Sequence, residues 1–408
     1  MRKHLREDEW IIPSLTLLLL GLGAVAVYSA TSSTDPSLFT RQLIYIGIGV
    51  FLYIGATLTP ERLTYAFTFI IYGLVMVLLV VVLFIGTGPT GRWLGVGAFH
   101  IQPSELAKLA VILAVAHLLS DKRIDLAKWR HVVLLAIVAG APFALIILEP
   151  DLGTSLVVPV IVGVMAYWAG LPLLVLVVVS SPLAVMLASS NPFTLTVIIG
   201  LLILFAYWSG IRISLAVVWG IVVGVAGSLA PVMLSKLHPY QRERLTAFLD
   251  PEADPLGSGY QLIQSKVAIG SGRFWGKGLL EGSQTQGGFL PEQHTDFIFS
   301  VIGEELGFVG ATIAVILFWG LVIRLIWLAR RVESPYASLI LIGVASMLGF
   351  QVLVNIGMVT GIMPVTGLPL PLFSYGGSSM ITTMLGLGLA TGLASRRRVH
   401  SLSGISHV

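Results

Sequence analysis

The chain has 408 residues, 56% of them hydrophobic and only 11% charged, with a net charge of +4 and no cysteine. A soluble domain carries about 25% charged residues, so the polar side chains here cannot cover a water-soluble globule of this size. Disulfide and thiolate chemistry are excluded, and the composition predicts an all-α polytopic membrane protein.

Arg2, Lys3 and Arg6 precede an apolar run from Trp10 to Tyr28. Tyr28-Ser29-Ala30 resembles a signal cleavage site, but the apolar stretch of a signal is only about 7–15 residues long. This run is longer and many similar ones follow, so a retained first span is expected. Further apolar segments fall at 42–58, 65–86, 104–120, 131–148, 154–169, 171–188, 194–208, 212–231, 297–325, 337–358 and 376–394. Each is near the ~20 residues a span needs. Twelve spans are predicted in a single integral membrane domain over 1–408, with both termini on one side. Cations cluster at the N-terminus, at 121–130, at 324–331 and at Arg396-Arg397-Arg398. Twelve spans put all four clusters on one face, which the positive-inside rule makes cytoplasmic. The loops at 86–102, 149–153, 240–296 and 360–375 then lie outside, the largest spanning 232–296.

One repeat is visible. Ala166-Tyr167-Trp168-Ala169-Gly170-Leu171 recurs as Ala206-Tyr207-Trp208-Ser209-Gly210-Ile211, forty residues on. It reads as a duplicated two-helix hairpin over 166–210. A Tyr/Trp interface belt is the plainer alternative.

Several polar groups sit where hydrocarbon would reject them. Gln102-Pro103-Ser104-Glu105-Leu106-Ala107-Lys108 opens the fourth span. Glu105 and Lys108 are three apart and share a helix face, either as an internal ion pair or with Lys108 on a phosphate and Glu105 orienting it or a metal. Asp151, in Glu149-Pro150-Asp151-Leu152-Gly153-Thr154-Ser155, is a helix cap or a functional carboxylate. Arg92 beside Trp93 is an outer cation or part of an interfacial anchor.

The outer loop is the densest polar stretch. Asp250 and Asp254 each precede proline, which biases them away from helix. Gly257 and Gly259 permit an unusual backbone path and close approach of a ligand. A carboxylate on such a turn is placed to accept a proton, although Asp-Pro is also an ordinary turn. Lys266 follows on an amphipathic segment. Gly270-Ser271-Gly272-Arg273 and Gly276-Lys277-Gly278 suit phosphate contacts, without a Walker or dinucleotide pattern. His294 and Asp296 enter the next span as metal ligands, sugar-orienting groups or caps, with Glu304 and Glu305 about two turns inside it. Asn355 lies within a span. The broken stretch 367–379 brings Ser374 as a further substrate-facing candidate; such backbone survives at membrane depth only where it is buried in protein or lines a cavity.

Together these stretches resemble the shape, elongation, division and sporulation (SEDS) family of bacterial peptidoglycan polymerases. The resemblance covers nearly the whole chain. It rests on GRW, QPSELAK, EPDLGTS, YQRER, DPEADPLGSGYQLIQSK, GKGLLEGSQTQ, LPEQHTDFIFSVIGEELG and PVTGLPLPLFSYGGSS. GSQTQ, DPLGSGY and Asn355-Ile356-Gly357-Met358 lean to the rod-shape elongation branch over the division branch. The resemblance implies a glycosyltransferase that polymerises lipid II, with its catalytic aspartate at Asp254 and its other polar motif residues at Glu105, Lys108, Asp151 and Arg244. It also implies a ten-helix core, which the duplicated hairpin extends. The resemblance implies a class B penicillin-binding protein as partner, which would supply the crosslinking for which this sequence has no transpeptidase motif; no nucleic acid is expected. The location implied is the bacterial inner membrane.

The expected reaction joins a sugar 4-hydroxyl to the anomeric carbon of a second lipid-linked disaccharide. Asp254 would act as base, and Lys108, Arg244, Arg92 or Lys266 would meet the departing diphosphate. Mg²⁺ or another divalent cation is an admissible helper, and no organic cofactor is expected. The rival reading is a lipid II flippase, whose signature would be midplane ionisable groups or inverted repeats.

Overall fold

The computed structural model describes residues 10–395, apart from 89–90, 97–98, 127, 150, 189–191, 210–218, 222, 226, 228–243, 245–246, 249, 252–253, 256 and 258. The terminal cation clusters, most of 212–231 and residues 240–243 lie outside that set.

Three long helices come first: α1 (Ile11–Ser32), α2 (Pro36–Leu58) and α3 (Glu61–Ile85). Asp35 starts α2 by accepting from the Ser37 amide, with Pro36 in the first turn, where proline's missing N–H costs nothing. A short antiparallel hairpin follows, β1 (Leu94–Val96) on β2 (Phe99–Ile101), with Leu94 facing Ile101. Then come α4 (Pro103–Ser120), α5 (Trp129–Leu148), α6 (Leu152–Trp168), α7 (Leu173–Ala188) and α8 (Pro192–Trp208). The long loop before the last spans holds α9 (Tyr260–Ser271) and the single turn α10 (Ser283–Gln286). The chain finishes with α11 (Ile298–Glu305), α12 (Gly307–Ala329), α13 (Pro335–Thr360) and α14 (Gly377–Ser395).

Among the described residues eight helices are long and apolar enough to cross a membrane: α1 to α5, α12, α13 and α14. The protein is therefore an all-α multi-pass membrane protein. The apolar segments at 154–169, 171–188 and 194–208 form shorter helices of 17, 16 and 17 residues.

The chain divides into two compact units, Met1–Met165 with Arg244–Val408, and Ala166–Glu243. In the second, Trp219 donates its indole N–H to Ser181 Oγ at 2.6 Å, and Val185 and Val223 are buried beside that contact. The helices bearing the two repeat copies end alike, at Trp168 and Trp208.

In the first unit α4 and α13 are buried on nearly every face, as befits helices apolar all round. Helices α2 and α14 meet backbone to backbone. A Cβ on Gly388 would lie 2.4 Å from the Tyr53 carbonyl oxygen, and one on Gly392 would lie 2.3 Å from that of Thr57. Small residues allow this approach, and polar side chains bind across it: the Thr57 hydroxyl donates to the Gly388 carbonyl at 3.1 Å, and Tyr53 Oη pairs with Thr391 Oγ1 at 2.8 Å.

The expected span at 297–325 is divided. Gly307 is left-handed, with φ +64, and the break separates α11 from α12. Backbone of the long loop fills the gap: the amides of Lys277 and Gly278 donate to the carbonyls of Glu304 and Glu305, and those of Phe308 and Val309 donate to Arg273 and Phe274. Glu304 and Glu305 thus precede the membrane span rather than lying inside it. The glycines around Lys277 also take another use: a Cβ on Gly272 would lie 1.9 Å from the Gly303 carbonyl oxygen, and one on Gly276 would lie 2.1 Å from that of Glu305. They admit the chain's own backbone.

Candidate functional site

The site gathers where α4, α6 and α14 begin. Asp151 caps α6: one carboxylate oxygen accepts the Thr154 amide at 3.1 Å, as a cap should. The other accepts from Gln102 Nε2 at 3.0 Å. Gln102 stands just before α4, and its backbone amide donates to Ser378 Oγ in the first turn of α14 at 2.9 Å. Arg92 closes the group, donating from Nε to the Glu149 carbonyl at 2.9 Å and lying 3.7 Å from the Asp151 carboxylate. Asp151 is thus both cap and ion-pair partner.

The broken segment before α14 brings a second layer. A Cβ on Gly153 would sit 2.6 Å from the Thr366 carbonyl oxygen, so this loop lies directly on the start of α6. One residue further, Gly367 is left-handed, with φ +74, and Arg244 and Asp296 close on it. A Cβ there would lie 2.8 Å from Arg244 Nη1 and 3.3 Å from Asp296 Oδ2. Asn355, inside α13, donates to the carbonyls of Asp296 and Leu368, each at 2.8 Å.

Burial pushes Asp296 up to about 6, against the pull of the Arg244 guanidinium; Glu292 and Asp151 add to the rise and Arg92 opposes it. Arg92, Asp151, Arg244 and Asp296 therefore form one electrostatic cluster. Glu149 is buried beside it, and among the described residues neither of its carboxylate oxygens has a hydrogen-bond partner. Burial, then the Asp151 charge, raises it to about 8, so it is chiefly protonated at neutral pH.

The remaining candidates are placed differently. Glu105 and Lys108 form a closed pair within α4, Nζ lying 2.7 Å from both carboxylate oxygens, with side chains 3% and 1% exposed. Lys266 is exposed on α9, and its ammonium lies over Gly361, the C-cap of α13, where a cation suits the helix dipole. Ser374 ties its own loop, donating to the Thr295 carbonyl at 2.6 Å and accepting the Leu370 amide at 2.7 Å. The His294 ring packs 5.5 Å from that of Tyr375, and burial lowers its pKa, favouring neutral imidazole.

Asp254 is exposed on its turn. Its carboxylate accepts the Gly257 amide at 3.1 Å and its carbonyl accepts the Gly259 amide at 3.0 Å. A Cβ on Gly257 would lie 2.2 Å from the carboxylate, and one on Gly259 would lie 2.1 Å from the Pro251 carbonyl oxygen. Both glycines are needed for close approach, here of the turn to itself.

Gln102, Glu149, Asn355 and Gly367 belong to the constellation although sequence reasoning singled out none of them for a role. Glu149 and Gln102 open two of the polar motifs, and Asn355 is a lone amide in an apolar helix. Among the described residues no three His, Asp or Glu side chains converge as a metal site requires.

Comparison with known proteins agrees with this architecture. The family model described as cell cycle protein, for FtsW, RodA and SpoVE, matches residues 10–189 and 172–399. The peptidoglycan glycosyltransferase MrdB of Escherichia coli (strain K12) is 36% identical, over 98% of each chain. The peptidoglycan glycosyltransferase RodA of Treponema pallidum (strain Nichols) is 35% identical, over 96% of this chain and 98% of its own. Among solved structures, one described as "Structural coordination of polymerization and crosslinking by a peptidoglycan synthase complex" has a chain matching with TM-score 0.73 and 35% identity, over 96% of this chain and 98% of its own. The Thermus thermophilus rod shape determining protein RodA matches with TM-score 0.64 and 30% identity, over 95% of this chain and 97% of its own.

Proposed function

The chain belongs to the SEDS family, the FtsW/RodA/SpoVE group, and is a peptidoglycan glycosyltransferase; on that premise we propose that it polymerises lipid II, with Asp254 as the base and the Arg92–Arg244 cluster as the anion-stabilising site. The observation that carries this reading is the meeting of Arg92 and Asp151, near the starts of α4 and α6, with Arg244 and Asp296 of the long loop.

Asp254 takes the proton from the 4-hydroxyl of the acceptor sugar. The oxygen attacks the anomeric carbon of the donor, the new C–O bond forms, and the bond to the polyprenyl diphosphate breaks with inversion. A positioned base contributes about 10²–10⁴-fold. The exposed carboxylate on a glycine-shaped turn supports this assignment. The leaving diphosphate gathers negative charge, and Arg92 and Arg244 are preorganised cations for it. Buried Asp151 and half-buried Asp296 are the carboxylates beside those guanidiniums. The apolar helices keep the prenyl chains, and so the reacting sugars, at one depth.

The protein works in the inner membrane with both termini cytoplasmic and its large loop outside. A class B penicillin-binding protein crosslinks the product, consistent with the relative described in a complex for polymerization and crosslinking. The decisive experiment is glycan polymerisation from lipid II by purified protein. Asp254→Asn is expected to insert normally and form no polymer; full activity overturns the assignment.

A further inference from the structure

We propose that the segment 273–280 of the outer loop is a membrane-surface anchor, seated at the boundary of headgroups and acyl chains in the outer leaflet. Five of its side chains, those of Arg273, Phe274, Trp275, Leu279 and Leu280, face outward. Trp275 is 77% exposed, and Arg273, Phe274 and Leu280 are exposed beside it. Such a patch in water would be costly, whereas Trp and Phe flanked by a cation suit the membrane interface.

The depth of this patch is set by a transmembrane helix. The amides at the start of α12, on Phe308 and Val309, donate to the carbonyls of Arg273 and Phe274 at 2.9 and 3.2 Å. Gly276 packs on the backbone of 305–306, with no room for a Cβ. The patch therefore sits level with the first turn of a span, where the bilayer surface lies.

Its aromatic surface also continues the outward face of that span. The ring of Phe274 stacks on Phe308 at 5.8 Å and meets Trp275 edge-on at 5.1 Å. Phe308, Ile316, Trp319 and Ile323 are exposed, and at 100° per residue they share an arc of about 80° on α12. The acyl chains that cover this face reach the loop without interruption.

The backbone is shaped for that presentation. Arg273 and Leu280 are left-handed without being glycine, with φ 52 and 65. Side-chain-bearing residues rarely adopt that conformation, and it persists where its surroundings impose it. Lys277 turns inward to Glu304 at 2.7 Å, leaving Arg273 to meet lipid phosphate. The anchor fixes the height of the loop that continues into α10 and, upstream, into α9 and the Asp254 turn.

The absence of cysteine makes a site-specific test direct. Trp275→Cys is spin-labelled and reconstituted into phosphatidylethanolamine–phosphatidylglycerol vesicles, and collisions with dissolved oxygen and with a water-soluble nickel chelate are compared. A label on Lys122→Cys, in the exposed turn after α4, gives the aqueous reference. The oxygen-to-nickel ratio at position 275 is expected to exceed that at 122 several-fold. A ratio equal to the reference places the patch in water and overturns the proposal. Shielding from both reagents means that protein covers it, and overturns it too. Phe274→Cys repeats the measurement one residue away if the first variant fails to reconstitute.

Discussion

The side-chain amide of Asn355 reaches the carbonyl of Asp296 at 2.8 Å and, with the same nitrogen, that of Leu368 at 2.8 Å. One residue of α13 thereby clamps the two segments between which Arg244 is held. Asn355→Ala strips both carbonyls of a buried donor, a loss of about 1–3 kcal/mol. A lower melting temperature in detergent and at least a tenfold fall in polymerisation are expected. An unchanged melt together with an unchanged rate would remove the clamp from the mechanism.

Glu149 gives the protein a pH dependence of defined sign. Its folded pKa of about 8 stands above the ordinary 4.5, so the folded state holds the proton more tightly. The contribution is complete below the ordinary value and is lost as pH rises through the folded one. Melting temperature should therefore decline as the solution is taken from about pH 5 to about pH 9. Glu149→Gln, which cannot ionise, should flatten that decline and melt higher at the alkaline end. Parallel curves for the two proteins would show that Glu149 does not titrate as its burial requires.

Gly367 would admit a methyl group only if the Arg244 guanidinium moved. Its φ of +74 disfavours any other residue, and a Cβ would press on the Arg244 guanidinium. Gly367→Ala should displace Arg244 and cost about 1–2 kcal/mol in backbone strain alone, with polymerisation falling by an order of magnitude. Gly21→Ala is the control, since nothing lies within 4 Å of its new methyl. Equal activity in the two variants would contradict the tight contact.

Glu304 is the anchor of the segment 277–285. One carboxylate oxygen accepts from Lys277 Nζ at 2.7 Å and the Gln284 amide at 2.9 Å; the other accepts from the amide and hydroxyl of Thr285 at 3.0 and 2.8 Å. Glu304→Gln sets an NH₂ donor against existing donors, at a cost of about 1–3 kcal/mol. Lys277→Met should cost less, because that side chain is partly solvated. Thermal melts of the two variants test the order, and the reverse ranking would show that Lys277 holds the segment.

Much of this was legible locally. Apolar runs marked the long helices, because a span must be apolar along its length, and Pro36 and Pro103 marked where helices start. The polar motifs named Arg92, Asp151, Arg244 and Asp296, but not their proximity, which long-range packing of separate segments creates. The break at Gly307 was hidden for a similar reason: residues 297–325 read as one apolar run, and only the insertion of 273–278 backbone divides it. Glu105 and Lys108 were readable as a pair from their spacing. The role of Glu149 was not, since a carboxylate at a helix end ordinarily faces water.

The Gly388–Gly392 seam limits how the frame can move. Two rods touching at main-chain distance, with hydroxyls locked across the contact, travel as a single strut. Separating them would strip the Tyr53 hydroxyl of its Thr391 partner and lose the close packing at Gly388 and Gly392. Room for an emerging polymer is then expected where helices meet through longer side chains, with this pair as the post against which they shift.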